Sequence, residues 1–273
     1  NGVICVIDIE GEHWTLKERY ESVIVIGGEY ADIPLELDKI ESYVSKMLSE
    51  SVSIVFDLSE ASERGFIYSQ VIKYLFQYQK VLKRTVRLIV DEARVFAPQS
   101  GGGEQKTSKL NSKIVKLTAE KLNLGDKELS SAIKEATLEL EALGELSSKT
   151  SLESSKILAT RGRKYGINQL WATQRPSSLN KEIITQCNRF WFGGLNSATD
   201  FKHIQPFVEE AGLDFQDLKK LEPGYFYLYT VKGGTVLIRS RRRYCKHHSN
   251  TPQRQTGKRV TAKNRKRFLD SLE

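Results

Sequence analysis

The chain has 273 residues, of which 39% are apolar and 28% charged, and a formal net charge of +8. That composition excludes a collagenous, mucin-like or wholly disordered chain, and the length suits one large α/β domain or two small ones. No apolar run approaches the roughly 18 to 20 residues that cross a bilayer, and Cys5, Cys187 and Cys245 are too few and too scattered for a disulfide framework. A reducing, cytoplasmic setting is the expectation.

Short β-rich runs recur along the chain: Val3–Ile7, Val23–Ile26, Val52–Asp57, Val86–Asp91, Gln169–Thr173, Arg189–Phe192, Tyr225–Tyr229 and Val236–Ile238. Between the early runs lie apolar residues at helical spacing. Leu37, Ile40, Val44 and Leu48 make one stripe; Ile67, Val71, Tyr74, Leu75 and Tyr78 make the next. Strands alternating with helices predict an α/β sheet that is largely parallel, covered on both faces. Gln99–Ser155 breaks the rhythm. Its Ser100-Gly101-Gly102-Gly103 start reads as a flexible connector. Two helical stripes follow, Leu110, Ile114, Leu117 and then Leu129, Ile133, Ala136, Leu140, Leu143, with Asn123-Leu124-Gly125-Asp126 between them. This reads as a helical hairpin inserted into the host domain, either packed on that domain or on itself, or serving as a docking arm. The domain expectation is therefore a core over 1–238 containing the 99–155 insertion, followed by a tail over 239–273.

The charge is unevenly placed. Between Arg239 and Arg267 there are 12 Lys/Arg and no Asp/Glu, leaving 30 basic against 34 acidic residues elsewhere. Arg241, Arg242, Arg243, Lys266 and Arg267 are the candidate contacts to nucleic-acid phosphates, through counterion release. A solvated tail without a dedicated ligand is the competing reading. Cys245, His247 and His248 lack a second ligand pair for a metal site and read as part of that tail.

Three motifs carry chemistry. Leu88-Ile89-Val90-Asp91-Glu92 puts two carboxylates at the end of a buried strand, the edge where open α/β sheets bind ligands. This is the Walker B pattern of nucleotide hydrolases, in which the first carboxylate holds a hydrated Mg²⁺ and the second polarises the attacking water. An acidic strand exit is the plainer reading. Ala172-Thr173-Gln174-Arg175-Pro176 ends another strand at a polar Gln that can sense a γ-phosphate, or simply leave the sheet. Thr160-Arg161-Gly162-Arg163-Lys164-Tyr165-Gly166 is a cationic helix end, explained by the helix dipole or by an arginine finger reaching a neighbouring subunit. Asp8, Glu10 and Glu12 lie near a strand tip and read as surface carboxylates, with reach to a nucleotide edge as the competing reading. Trp171 and Trp191 read as core, and Tyr225, Phe226, Tyr227 and Tyr229 as core and edge aromatics of a strand.

The ordered set Val90-Asp91-Glu92-Ala93, Gly162-Arg163-Lys164-Tyr165-Gly166 and Ala172-Thr173-Gln174-Arg175-Pro176-Ser177 resembles the HerA/FtsK superfamily of DNA-translocating ATPases, most closely its archaeal HerA-like branch. Val6-Ile7-Asp8-Ile9-Glu10-Gly11-Glu12, Gly27–Leu35, Leu179–Asn188 and Leu221–Tyr229 resemble further stretches of that family, so the likeness covers most of residues 3–248 outside the insertion. The resemblance implies a RecA-like core in a homo-oligomeric ring, usually of six, binding ATP and Mg²⁺ between subunits and passing double-stranded DNA through its pore. It implies Asp91 for Mg²⁺, Glu92 for water, Gln174 for the γ-phosphate and Arg163 for the trans finger, with Arg161 as rival; the family often has an acidic residue where Arg161 stands. A nuclease is a candidate partner.

The phosphate loop Gly-x-x-x-x-Gly-Lys-Ser/Thr is missing from this sequence. Gly101-Gly102-Gly103-Glu104-Gln105-Lys106-Thr107 has Gln105 where the second Gly is needed, and it follows the Walker B strand instead of preceding it. Either the loop lies upstream of Asn1, which is the expectation, or it has been lost. This polypeptide alone is accordingly expected to hydrolyse ATP poorly or not at all. The readings carried forward are a DNA motor or helicase, a catalytically silent DNA-binding or assembly module, and a conjugation, secretion or viral packaging ATPase.

Overall fold

Five parallel strands form the centre of the protein. The computed structural model describes residues 2–99, 151–242 and 244–245. The strands are β1 (Val3–Asp8), β2 (Val23–Ile26), β3 (Ser53–Asp57), β4 (Val86–Val90) and β5 (Ile167–Trp171), in the order β2-β3-β1-β4-β5. Each lies within a few residues of its expected position. The helices are α1 (Leu16–Arg19), α2 (Ile40–Ser49), α3 (Arg64–Leu82), α4 (residues 151–161), α5 (Lys181–Thr185), α6 (Ala198–Glu210) and α7 (Phe215–Lys219). The α/β class expected from the alternating pattern is the class observed.

The pattern explains the layers. In-pointing Cys5 and Ile7 of β1, Ile54 and Phe56 of β3, and Leu88 and Val90 of β4 pack against Ile40, Val44 and Leu48 of α2 and Ile67, Val71 and Leu75 of α3. These are the two helical stripes read from the sequence. The opposite face buries Val6, Val25 and Val55 under Trp14 and Leu16. Register carries that row across the sheet as Val25, Val55, Val6, Ile89 and Leu170. Its exposure climbs from 0% at Val25 to 49% at Leu170. Among the described residues, this face is therefore covered near β2 and open near β5.

The last three strands depart from the expected parallel arrangement. β6 (Arg189–Phe192), β7 (Tyr225–Thr230) and β8 (Gly234–Arg239) form a separate antiparallel sheet. The short turn at 231–233 allows only a hairpin between β7 and β8, since a parallel partner needs a crossover. Phe192 and Tyr229 face Ile204, Val208 and Leu218 of α6 and α7. Trp191 is 57% exposed on the other face, which corrects its expected place in the core. Tyr229 is buried, and Tyr225, Phe226 and Tyr227 are half-buried.

Asp200 ties the second sheet to the first. It is buried, accepts hydrogen bonds from the Ser177 amide at 3.0 Å and hydroxyl at 2.6 Å, and pairs with Arg175 Nε at 3.2 Å. Phe190 and Phe207 touch both cores. The expected insertion lies almost wholly outside the described residues, at 100–150, as do residues 246–273 of the tail. Residues 151–155 fall in α4, where Ser155 Oγ donates to Tyr68 Oη at 3.0 Å, inside the core.

Burial opposes ionisation of Asp200, but the Ser177 hydrogen bonds and the Arg175 charge outweigh it and hold the carboxyl below its usual range. A depressed pKa gives stability that is present above the unfolded value of about 3.9 and lost as pH falls through the folded value. Asp200→Ala should lower unfolding free energy by about 2–3 kcal/mol at neutral pH. Its penalty should shrink below pH about 4, as read by urea melts across pH.

Candidate functional site at the carboxyl rim

The parallel strands end together, and their ends carry acid. Asp8 and Asp57 pair in register at the tips of β1 and β3. Asp91 and Glu92 follow the last residue of β4. Asp91 donates its amide to Ile7 O at 3.0 Å, so it lies beside the end of β1.

Asp8 is fully buried, which corrects its reading as a surface carboxylate; Glu10 is exposed and Glu12 exposed as expected. Its Oδ1 accepts from the Glu10 amide at 3.1 Å and the Gly11 amide at 3.0 Å, and its Oδ2 from the His13 amide at 2.8 Å. The loop after β1 is thus wrapped around one carboxylate, with Gly11 supplying the left-handed turn at φ 70°. Burial pushes the Asp8 pKa up, and neighbouring Asp57 adds to that rise, against the opposing His13 amide and Gly11 hydrogen bonds.

The loop delivers His13 to Asp91. His13 Nε2 lies 3.3 Å from Asp91 Oδ2. This contact is the leading cause that holds the Asp91 carboxyl below its usual range; partial burial works against it and the Glu92 amide, 2.9 Å from Oδ1, assists. Glu92 adopts φ 44°, a left-handed conformation uncommon for a non-glycine residue. Its side chain is 8% exposed and its Oε2 pairs with Arg94 Nε at 2.9 Å. Sequence reasoning missed both His13 and Arg94. A lone His in an acidic loop and an Arg two residues beyond Glu92 carried no pattern that a period could reveal.

Gln174 stands on the same rim. Val90 pairs with Trp171, and the Ala93 amide bonds Ala172 O at 2.8 Å. The chain therefore leaves β5 beside Asp91-Glu92, and Gln174 is exposed three residues beyond the strand. Arg161 and Arg163 are exposed at the opposite, amino edge, where the turn Gly162–Tyr165 precedes β5. Gln79 at the end of α3 pins this turn, its Nε2 donating to Tyr165 O at 2.8 Å. Gly162 sits close under Gln169, whose Nε2 a Cβ at this position would displace. Arg241 and Arg242 are exposed after β8, whereas Arg243, Lys266 and Arg267 lie outside the described residues.

The rim therefore concentrates Asp8, Asp57, Asp91 and Glu92, with the His13 imidazole beside Asp91 and the Arg94 guanidinium beside Glu92. An oxygen-rich, partly solvated edge of this kind has the donor set that hard divalent cations take. A cleft of about 610 Å³ opens one strand further along, lined by Gly28, Leu35, Asp57, Glu60, Glu63 and Ile67. Its own carboxylates make it a poor berth for phosphate. Among the described residues, no helix is long and apolar enough to cross a membrane.

Comparison with known proteins gives short matches and a distant structural likeness. No family model matches the chain. Protein P9 of Pseudoalteromonas phage PM2 is 36% identical over 80 residues, covering 29% of this chain and 35% of that protein. Probable helicase MJ1565 of Methanocaldococcus jannaschii is 35% identical over 57 residues, covering 21% of this chain and 11% of that protein. The chain thus spans about a third or less of the curated relatives it matches. Among solved structures, the genome packaging NTPase B204 of Sulfolobus turreted icosahedral virus 2 in complex with ATP-gammaS superposes with a TM-score of 0.45 at 11% identity, covering 88% of this chain and 98% of that one. The DNA-packaging ATPase B204 of Sulfolobus Turreted Icosahedral Virus gives 0.47 at 13% identity, with the same coverage.

Asp8→Ala frees three loop amides and should lower unfolding free energy by about 2–4 kcal/mol. Hydrogen exchange should accelerate selectively over residues 9–14. Uniform protection equal to that of the parent protein would show that the loop does not depend on Asp8.

Proposed function

We propose that this chain forms the motor core of an ATPase that drives double-stranded DNA through a homo-oligomeric ring, in the manner of the HerA/FtsK superfamily. The observation that carries the reading is the register of β4 against β5, which leads Asp91-Glu92 and the Gln174 segment off the same rim. In this reading Asp91 holds Mg²⁺ through water. The ion, when bound with ATP, neutralises phosphate charge. Glu92 orients and deprotonates the attacking water, which requires its carboxylate to exchange Arg94 for that water. Gln174 hydrogen-bonds the γ-phosphate.

Arg163, with Arg161 as rival, supplies the finger to the next subunit. Both sit at the amino edge, so within one chain neither shares the rim of Asp91. A head-to-tail neighbour brings one subunit's amino edge to another's carboxyl rim, and repetition of that contact closes a ring where its rotation divides a full turn. The oligomer is then part of the active site.

The phosphate loop belongs, in this proposal, to polypeptide outside the present sequence. Two features support its point of entry. Among the described residues, β5 is an edge strand of the parallel sheet and β6 an edge strand of the antiparallel one. The half-sheet next to β5 also leaves Ile4 36% and Leu170 49% exposed on a face that a parallel sheet normally buries. A strand laid between these edges, followed by a helix on the bare face, would satisfy both and would end at the carboxyl rim. Its loop would meet Asp91, Glu92 and Gln174 there.

The present chain should show negligible ATP turnover, and a polypeptide extended upstream through a Gly-Lys-Ser/Thr loop should show DNA-stimulated turnover. Glu92→Gln in the extended form should reduce kcat by about 10²-fold or more while nucleotide binding survives. Robust turnover by the short chain, or an unchanged kcat in Glu92→Gln, would defeat the assignment. The tail is tested separately: removing the residues after Tyr244 should weaken duplex binding at low salt and flatten its dependence on salt concentration. Binding that does not change would assign the tail to solubility.

A further inference from the structure

The cleft of about 610 Å³ at the carboxyl ends of β2 and β3 has no task in the motor reading. Its lining mixes apolar Pro34, Leu35 and Ile67 with acidic Asp57, Glu60 and Glu63. We propose that this cleft is the dock for the chain's own basic tail segment, residues 258–268.

The carboxylates are open to a cation. Glu60 and Glu63 are exposed. Glu63 is the N-cap residue of α3, yet its side chain makes no capping bond. Among the described residues, neither carboxylate has a hydrogen-bond or ion-pair partner. Asp57 is 2% exposed, and its Oδ1 accepts the Ser59 amide at 2.9 Å and hydroxyl at 2.6 Å. Its Oδ2 lies against Gly28, where a Cβ would collide with it, and accepts no hydrogen bond from a described residue. The basic residues of the neighbouring loops are engaged elsewhere. Arg64 donates to the Ala61 and Ser59 carbonyls, and Lys17 to Tyr30 O and Asp32. The positive end of the α3 dipole lets like charges gather here.

Charge and chain length name the occupant. A cleft with three carboxylates repels phosphate and attracts guanidinium and ammonium groups. Lys258, Arg259, Lys263, Arg265, Lys266 and Arg267 fall within ten residues that contain no acid. Val260, Ala262 and Phe268 in the same stretch supply apolar side chains to meet Leu35 and Ile67. The stretch starts 13 residues beyond Cys245. That length of extended chain spans about 45 Å, against a radius of gyration of about 19 Å for a domain of this size, so the tail of the same chain reaches the cleft.

The dock has a consequence for nucleic acid. The residues it holds are those proposed to meet duplex phosphates, so cleft and duplex exclude one another. Only the fraction of chains with a released tail then binds duplex at full strength. This consequence rests on the proposed DNA contact of the tail; the dock does not.

The test treats the full chain, without DNA, with a zero-length carbodiimide that joins lysine to carboxylate, and maps the links by mass spectrometry. Links should join Glu60 or Glu63 to Lys258, Lys263 or Lys266 at low salt. They should fade at about 0.5 M salt, where screening acts beyond roughly 4 Å. A mixture of isotope-labelled and unlabelled chains should give links within one chain. Duplex binding by the same full chain, read by fluorescence anisotropy, should tighten about three- to tenfold in Glu60→Gln with Glu63→Gln. Circular dichroism and the melting temperature should match the parent, since both residues are exposed. A chain carrying Glu21→Gln and Glu50→Gln, exposed at the amino edge, has the same net charge and should bind duplex as the parent does. Links to the cleft in a chain that binds no duplex would remove the tail's DNA role and support the dock. No link between tail and cleft, links only between different chains, or equal tightening in both double variants would each overturn the proposal.

Discussion

The rim depends on one constraint, the place of β4 between β1 and β5. Parallel strands cannot slip by one residue without turning their buried faces outward. Leu88 and Val90 are fully buried, so the register of β4 is fixed by the core and not by the chemistry at its end. That register sets Asp91 against the end of β1 and Glu92 beside the exit from β5. The apolar packing thereby positions charged groups that would otherwise repel one another.

Like charges crowded at a low-dielectric edge need local compensation, and each carboxylate has a different source of it. Asp8 draws on three loop amides, Asp57 on the amide and hydroxyl of Ser59, Asp91 on His13 and the Glu92 amide, and Glu92 on Arg94. The two backbone-rich solutions lock a carboxylate in place, because loop amides cannot leave without unfolding the loop. The side-chain partners His13 and Arg94 can rotate away. Static anchors at Asp8 and Asp57 thus flank exchangeable contacts at Asp91 and Glu92, a division suited to a rim whose anchors shape it and whose open groups react.

Much of the architecture was legible because burial writes itself as sequence pattern. Runs such as Val3–Ile7 and Leu88-Ile89-Val90 announce strands whose two faces are covered, and the stripes at Ile40 and Ile67 announce their helices. Pairing left no such trace. Nothing in Arg189–Phe192 says that it joins a hairpin sheet instead of the parallel one, and Trp191 was misplaced because an apolar run does not reveal which of its faces lacks cover. At the rim, Asp91, Glu92 and Gln174 were visible as strand exits. Asp8 was misjudged because a carboxylate satisfied by backbone amides looks the same in sequence as a solvated one. The Gly11 three residues on was the available signal, since an acid followed closely by glycine often closes a turn on its own side chain. His13 and Arg94 act through proximity alone, which no periodicity encodes.

The two ends of the sheet divide the chemistry between them. Anionic groups collect where the strands finish, and Arg161 and Arg163 collect where β5 starts, on a turn held rigid by Gln79 and by the close approach of Gly162 to Gln169. A flexible cation could fold back toward its own carboxylates; a cation fixed across the length of the sheet cannot. Parallel β-structure is what enforces this separation, because every strand contributes its start to one edge and its finish to the other. In the proposed motor, the polarity that keeps acid and guanidinium apart within one subunit also makes copies complementary end to end. In the proposed ring, each boundary joins the half-site that one subunit finishes to the half-site that the next begins. In that proposal, strand direction is the reason one subunit does not bring its own Arg161 or Arg163 to its own Asp91.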